Sequence, residues 1–129
     1  MLHPVYRIFL ILPIFLILQG SNLCWGADFQ RGLTAAQSGD YATALREWKP
    51  LAEQGYARAQ SNLGYMYVKG QGVIQDKVYA HMWWNIAASS GHKDLVKKRD
   101  IIAKQMTPSQ LEKAQDLARE CVRKKYKGC

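Results

Sequence analysis

The fold is decided by residues 57–91, which read ARAQSNLGYMYVKGQGVIQDKVYAHMWWNIAASSG. Near the start of this stretch, Ala59, Leu63 and Tyr67 recur every four residues. Side chains four residues apart lie on one face of an α-helix, one turn above the other. The pattern therefore predicts a helix over residues 57–69 with an apolar face.

A second helix follows after a glycine-containing loop. Gly70 and Gly72 end the first helix, and Asp76 stands where an N-cap belongs. A carboxylate at that position accepts hydrogen bonds from the free backbone N–H groups of the first turn. Gly91 stands where the helix end needs a left-handed residue, which glycine adopts without steric cost. The stretch is therefore predicted to form a helix hairpin.

The second helix of this hairpin has a copy 36 residues upstream. The spacing of the matched residues is helical, so they share one face. The matched pairs are Asp40 and Asp76, Ala44 and Ala80, Trp48 and Trp84, Ala52 and Ala88, and Gly55 and Gly91. Pro50 lies inside the upstream copy, where proline removes a backbone hydrogen bond. We expect a bend there and not a break, because the apolar stripe continues beyond it.

Two glycines lie inside the predicted first helices. Gly64 lies within 57–69, and Gly32 has the same place in a shorter element over 28–38. Glycine in a helix interior costs roughly 1 kcal/mol relative to alanine. We expect the compensation to be a close approach of the paired helix.

The last third of the chain is helical but leaves the repeat pattern. Residues 92–105 suit one helix, and Thr107, Pro108 and Gln110 form a helix start with a capping box. The chain is thus predicted to be all-α, an α/α solenoid of about six helices in three hairpins, the last acting as a cap. The hairpins would bury their apolar faces by stacking.

The first 26 residues have the features of a secretory signal peptide. The stretch 8–18 is apolar apart from Pro13, and it is shorter than the roughly 20 residues that span a membrane. Small and polar residues follow, and we place cleavage after Gly26, with Ala27 as the alternative. Lipidation at Cys24 is disfavoured because Leu23 precedes it. The chain is therefore predicted to be exported, periplasmic or secreted, with its folded domain at 27–129.

Charge and cysteine content agree with export. The formal net charge is +8, and eleven basic against five acidic residues follow residue 92. A basic surface attracts anionic surfaces, but nucleic acid is not an expected partner of an exported chain. Two cysteines remain after cleavage, Cys121 and Cys129. An even count in an oxidising compartment favours a disulfide between them over two free thiols.

The stretch 57–91 closely resembles a Sel-1-like repeat. That family shows A-x-A-Q-x-x-L-G-x-x-Y-x-x-G-x-G-V-x-x-D, then A-x-x-W-x-x-x-A-A-x-x-G. The matching residues are Ala57, Ala59, Gln60, Leu63, Gly64, Tyr67, Gly70, Gly72, Val73, Asp76, Ala80, Trp84 (or its neighbour Trp83), Ala87, Ala88 and Gly91.

Other parts of the chain also resemble this family. Residues 27–56 look like a partial copy or a tetratricopeptide-like hairpin. The ending MTPSQLEKAQDLARE (106–120) resembles the capping helix of short bacterial members, and we assign 92–129 to a capping hairpin with a basic tail. The resemblance implies a scaffold for protein–protein contacts with no cofactor and no catalytic residues. It departs from larger members in having few full repeats, which limits the concave surface.

Candidate catalytic and metal-binding residues are few. His81 and His92 have no cysteine or carboxylate cluster with zinc-ligand spacing around them, and we expect both to be solvent-facing or half-buried. Ser90 and Lys93 match S-x-x-K, and some exported family members are described as binding or hydrolysing β-lactams. That mechanism needs the two side chains one turn apart on a helix, whereas Gly91 lies between them at a predicted helix end. We therefore predict no enzyme activity, no metal and no cofactor.

The partner surface is predicted on the exposed face of the helix over 57–69. In solenoids of helix pairs, the first helix of each pair lines the concave side. The candidate contact residues are Arg58, Ser61, Asn62, Tyr65 and Lys69. Trp83 and Trp84 are instead predicted to pack in the core. The alternatives are a cationic protein that binds an anionic envelope polymer or membrane surface, and a small periplasmic hydrolase acting through Ser90.

Overall fold

The computed structural model describes residues 26–129, and within them the chain forms six α-helices and no strand. They are α1 (Phe29–Gln37), α2 (Tyr41–Glu53), α3 (Ala57–Lys69), α4 (Lys77–Ala88), α5 (Lys93–Ala103) and α6 (Pro108–Arg123). The predicted all-α repeat fold is confirmed. The predicted signal segment, with Cys24, lies outside the described residues except for Gly26. None of the six helices is long and apolar enough to cross a membrane.

The predicted caps of the repeated helix are present in both copies. The Asp40 carboxylate accepts from the backbone N–H of Thr43 at 3.1 Å, and that of Asp76 accepts from Val78 at 2.8 Å. Gly55 and Gly91 both have a φ of +87°, so each occupies the left-handed region that favours glycine. These local signals set where the repeated helices begin and end.

A glycine and a tryptophan join the two helices of each hairpin. The indole ring of Trp84 lies on Gly64, where an added Cβ atom would come within 2.5 Å of its Cδ1 and Nε1 atoms. Trp48 lies on Gly32 in the same way, and a Cβ atom added to Gly32 would come within 2.3 Å of Trp48 Nε1. Both indole N–H groups donate to the carbonyl oxygen three residues before the glycine, at 3.0 Å and 3.2 Å. The expected close approach is confirmed, and it is made by a side chain of the paired helix.

Helix α4 is the centre of the described structure. It packs against α3, α5 and α6, so nearly every face of it is covered. This explains why Trp83 and Trp84 are both buried, as predicted. It also corrects the expectation for His81, which is only 3% exposed because it lies on a helix covered on three sides.

Helices α5 and α6 do not form a closely packed hairpin. The Thr107–Gln110 capping box starts α6 as predicted, with bonds of 3.2 Å and 3.0 Å. However, α5 and α6 each pack on α4 and make few contacts with each other. The C-terminal region therefore closes the solenoid by covering α4 from two directions.

The chain ends by folding back over the preceding hairpins. Cys121 and Cys129 are joined by a disulfide, with Cα atoms 5.6 Å apart. Between them, the ring of Tyr126 lies over Gly55, at the turn between α2 and α3. Cys129 packs against the main core and borders a small cavity beside Trp83 and Leu63. The segment after α6 thus contacts elements from three earlier helices.

Candidate binding surface

The outer face of α3 is positioned by the burial of its other side. Ala59 and Leu63 point into the core, and Gln60 donates its side-chain amide to the Ala52 carbonyl oxygen at the end of α2, at 3.1 Å. This buried bond ties α3 to the preceding helix. One face of α3 is therefore left facing outward.

The five predicted contact residues are exposed to solvent to different degrees. Arg58, Tyr65 and Lys69 are exposed, and Asn62 is half-buried. Ser61 is buried, unlike a residue of a solvated face, because the indole of Trp84 lies against its backbone. Tyr65 is the one aromatic residue of the group, and 48% of its surface is exposed.

An apolar depression of about 350 Å³ lies on one side of this face. Leu33 and Ala36 of α1, Tyr41 of α2, and Tyr65 and Met66 of α3 line it. Its rim is polar, because the Gln71 side-chain amide donates to the Tyr41 hydroxyl at 2.9 Å. This site can accept a large apolar side chain.

A polar depression of about 360 Å³ lies on the other side, between α3 and the start of α5. Its walls carry two cations, Arg58 and Lys98, and one acid, Asp94, with His92 and Leu95 completing the α5 side. The Arg58 guanidinium carbon also lies 4.9 Å from the ring centroid of Phe29, an arrangement that stabilises the cation without removing its charge.

Asn62 lies between the two depressions and borders both. Its side-chain nitrogen is buried and has no hydrogen-bond partner among the described residues. A buried donor without a partner costs about 1–3 kcal/mol of desolvation. A bound acceptor reaching this side chain would recover part of that cost.

Ser90 and Lys93, the residues considered for catalysis, lie in different elements of the structure. Ser90 lies in the turn after α4 and donates its hydroxyl to the Ala87 carbonyl oxygen at 2.6 Å, whereas Lys93 begins α5. Within residues 26–129, no group of three or more His, Cys, Asp or Glu side chains could hold a metal ion.

His81 is buried and lacks a partner for its Nδ1 atom in the described chain. Burial lowers its pKa below the ordinary value, and the neighbouring Arg99 lowers the pKa further, while Asp100 opposes this. The imidazole is thus held neutral by its surroundings. His81 lines neither of the two depressions beside α3.

Sequence reasoning missed the residues that other helices bring to this surface. Leu33 of α1 and Lys98 of α5 are distant from α3 in the chain. A signal for the α1 contribution did exist, because placing Gly32 on Gly64 aligns Leu33 with Tyr65. Nothing in the local pattern indicated where α5 would lie.

The pattern of caps, paired glycines and buried tryptophans has a counterpart among known families. Residues 57–92 match the Sel1 repeat family. The chain carries a Sel1 repeat. The resemblance found in the sequence is confirmed, and the repeat spans α3, which carries the outer face described above, its loop and α4.

A solved structure shares the fold beyond this repeat. It is that of c5321, described as a protective antigen present in uropathogenic Escherichia coli strains and displaying an SLR fold. The two are 28% identical and superpose with a TM-score of 0.70. The match covers 76% of this chain and 23% of that protein, so the chain spans about a quarter of its length.

Proposed function

We propose that this protein is an exported, non-catalytic scaffold that binds another protein through the outer face of α3. Helical arrays of the Sel1 type suggest a scaffold for protein–protein interaction. Export is supported by the signal-like segment before residue 27 and by the disulfide between Cys121 and Cys129.

The proposed location of the partner-binding site rests on the position of Tyr65. It is a large, half-exposed aromatic side chain that borders the apolar depression, and Asn62 on the same helix borders both depressions. Tyrosine and arginine are frequent anchors of protein interfaces, because they combine apolar area with hydrogen bonding. Arg58 lies two turns before Tyr65 on the same helix, so both can contact one partner.

The test is in-cell crosslinking of the tagged full chain, followed by mass spectrometry. The test variant changes Arg58, Asn62 and Tyr65 to alanine. The control variant changes Glu112, Lys113 and Gln115 to alanine, three exposed residues of α6. We expect a discrete protein to be enriched by the wild type and the control and lost with the test variant.

Equal enrichment by all three forms would show that the partner binds elsewhere. A test variant that loses its far-UV circular dichroism would have to be replaced by Tyr65→Ala alone, which removes an exposed side chain. Secretion is checked separately, by the loss of residues 1–26 from the mature protein measured by intact mass.

The second candidate is a cationic protein that binds an anionic polymer or membrane surface. It is favoured by the exposed lysines Lys125 and Lys127 of the C-terminal segment. Part of the basic excess is neutralised, because Arg99, Arg119, Arg123 and Lys124 pair with neighbouring acids. Binding that falls steeply with salt and ignores the Tyr65 change would favour this candidate.

A hydrolase acting through Ser90 is the third candidate. Ser90→Ala abolishing a measured β-lactam turnover would establish it. Ser90 lies in the turn after α4 and Lys93 begins α5, so the two are not one turn apart on a helix, which argues against that result.

A further inference from the structure

The two depressions beside α3 differ in chemistry, and the difference restricts what can occupy them together. The first is lined mainly by carbon, including the side chains of Leu33, Met66 and Tyr65. The second is lined by the cationic residues Arg58 and Lys98. They adjoin along Asn62, so a single ligand can reach both.

The cationic residues of the polar depression are not neutralised by ion pairs within the described residues. Neither Arg58 nor Lys98 forms an ion pair with any acid in residues 26–129, although Arg31, Arg99 and Arg123 do. The acid on the wall, Asp94, lies in the first turn of α5, where it interacts favourably with the helix dipole. The depression therefore retains a net positive charge.

We infer that this surface accepts an extended segment of a partner protein that carries an acidic side chain next to a large apolar one. The acid enters the polar depression between Arg58 and Lys98, and the apolar side chain enters the depression beside Tyr65. The inference rests on the proposed function and specifies the chemistry of the partner.

The geometry also restricts the spacing of the two side chains. The two depressions flank α3 and adjoin along Asn62, and a helix with its side chains is roughly 10 Å across. An extended chain rises about 3.3 Å per residue. The acidic and apolar positions should therefore be about three residues apart. An anionic polymer or a lipid headgroup satisfies the polar depression but has no apolar group for the apolar depression.

The test is selection of peptides from a random ten-residue phage library on the immobilised full chain at physiological salt. The selected peptides are then synthesised, and their affinities are measured by fluorescence polarisation. The charge-reversal variant is Arg58→Glu with Lys98→Glu. The matched control is Arg46→Glu with Lys113→Glu, the same charge change on exposed residues of α2 and α6 that line neither depression. All variants are first checked by circular dichroism.

We expect selected peptides to share an acid and a large apolar residue two to four positions apart. Charge reversal should weaken them by roughly tenfold, as for loss of a charge-assisted hydrogen bond, and the control should not. A peptide with lysine in place of the acid should bind the charge-reversal variant better than it binds the wild type.

Two other outcomes overturn the inference in distinguishable ways. Peptides that depend on Tyr65 but lack an acid, or that ignore charge reversal, would refute the acidic partner and leave the scaffold function standing. Retention on phosphatidylglycerol vesicles with no peptide enriched, or peptides that bind the Arg58, Asn62 and Tyr65 triple-alanine variant equally well, would overturn both proposals.

Discussion

Replacing Gly64 with alanine should destabilise this protein, against the rule that alanine favours helices. In a helix interior, alanine is preferred over glycine by roughly 0.5–1 kcal/mol. Here the added methyl group would lie 2.5 Å from ring atoms of Trp84, whose side chain is itself buried. Because the ring is buried, we expect the clash to be relieved by separation of α3 and α4.

The size of the loss follows from two costs and one gain. Overpacking a well-packed site costs about 1–3 kcal/mol. Displacing the indole also strains the 3.0 Å bond from Trp84 to the Ser61 carbonyl oxygen, and such a bond contributes roughly 1 kcal/mol. The helix-propensity gain offsets about a third of this total. We expect a net loss near 2 kcal/mol in the free energy of unfolding.

Urea denaturation followed by circular dichroism measures this change. Ala42→Gly, on the exposed side of α2, calibrates the propensity term alone and should cost about 1 kcal/mol. Gly32→Ala repeats the test against Trp48 in the first hairpin and should also destabilise. A Gly64→Ala protein as stable as the wild type, or more stable, would refute the reasoning that the glycine exists to admit the ring.

Three further changes test other parts of the structure. The folded chain binds a proton at His81 less readily than the unfolded chain, so stability is full above about pH 6.5 and declines as pH falls toward the lowered pKa. His81→Leu should flatten that decline in urea midpoints measured from pH 7.5 to 5. Reducing the Cys121–Cys129 bond should lower the free energy of unfolding by about 2.5 kcal/mol, the chain-entropy value for its short loop, and an unchanged urea midpoint with reductant would contradict this. Asp76→Ala should cost about 1 kcal/mol through the loss of the α4 cap, measured by thermal unfolding.

The fold could be predicted from sequence because its signals are local. Asp40, Asp76 and Thr107 cap helices through bonds to residues two or three positions away, so the chain itself displays them. The 57–69 range for α3 agrees with the structure because its apolar spacing and Gly70 coincide. Export, partner binding and the absence of catalysis remain predictions.

What the sequence could not show depends on contacts between distant helices. The burial of His81 depends on α5 and α6 both packing on α4, which periodicity within α4 does not reveal. Glu47 is similar, because it is buried while accepting from the backbone N–H of Asp28 and from Arg31. The polar depression exists only because the start of α5 lies beside α3. Such arrangements are set by tertiary packing, where local pattern carries no distance information.

The segment after α6 folds back over the earlier hairpins, and this affects how the solenoid unfolds. In a linear array each repeat touches only its neighbours, so the terminal repeats fray first. Here Tyr126 rests on the α2–α3 turn and Cys129 on the core beside Trp83, and the disulfide prevents the two contacts from being lost independently of α6. Peeling α6 away would uncover the interior of the earlier hairpins. We therefore expect the last helix and the first hairpin to unfold in one transition, so that the described chain is a single cooperative unit instead of a row of separable modules.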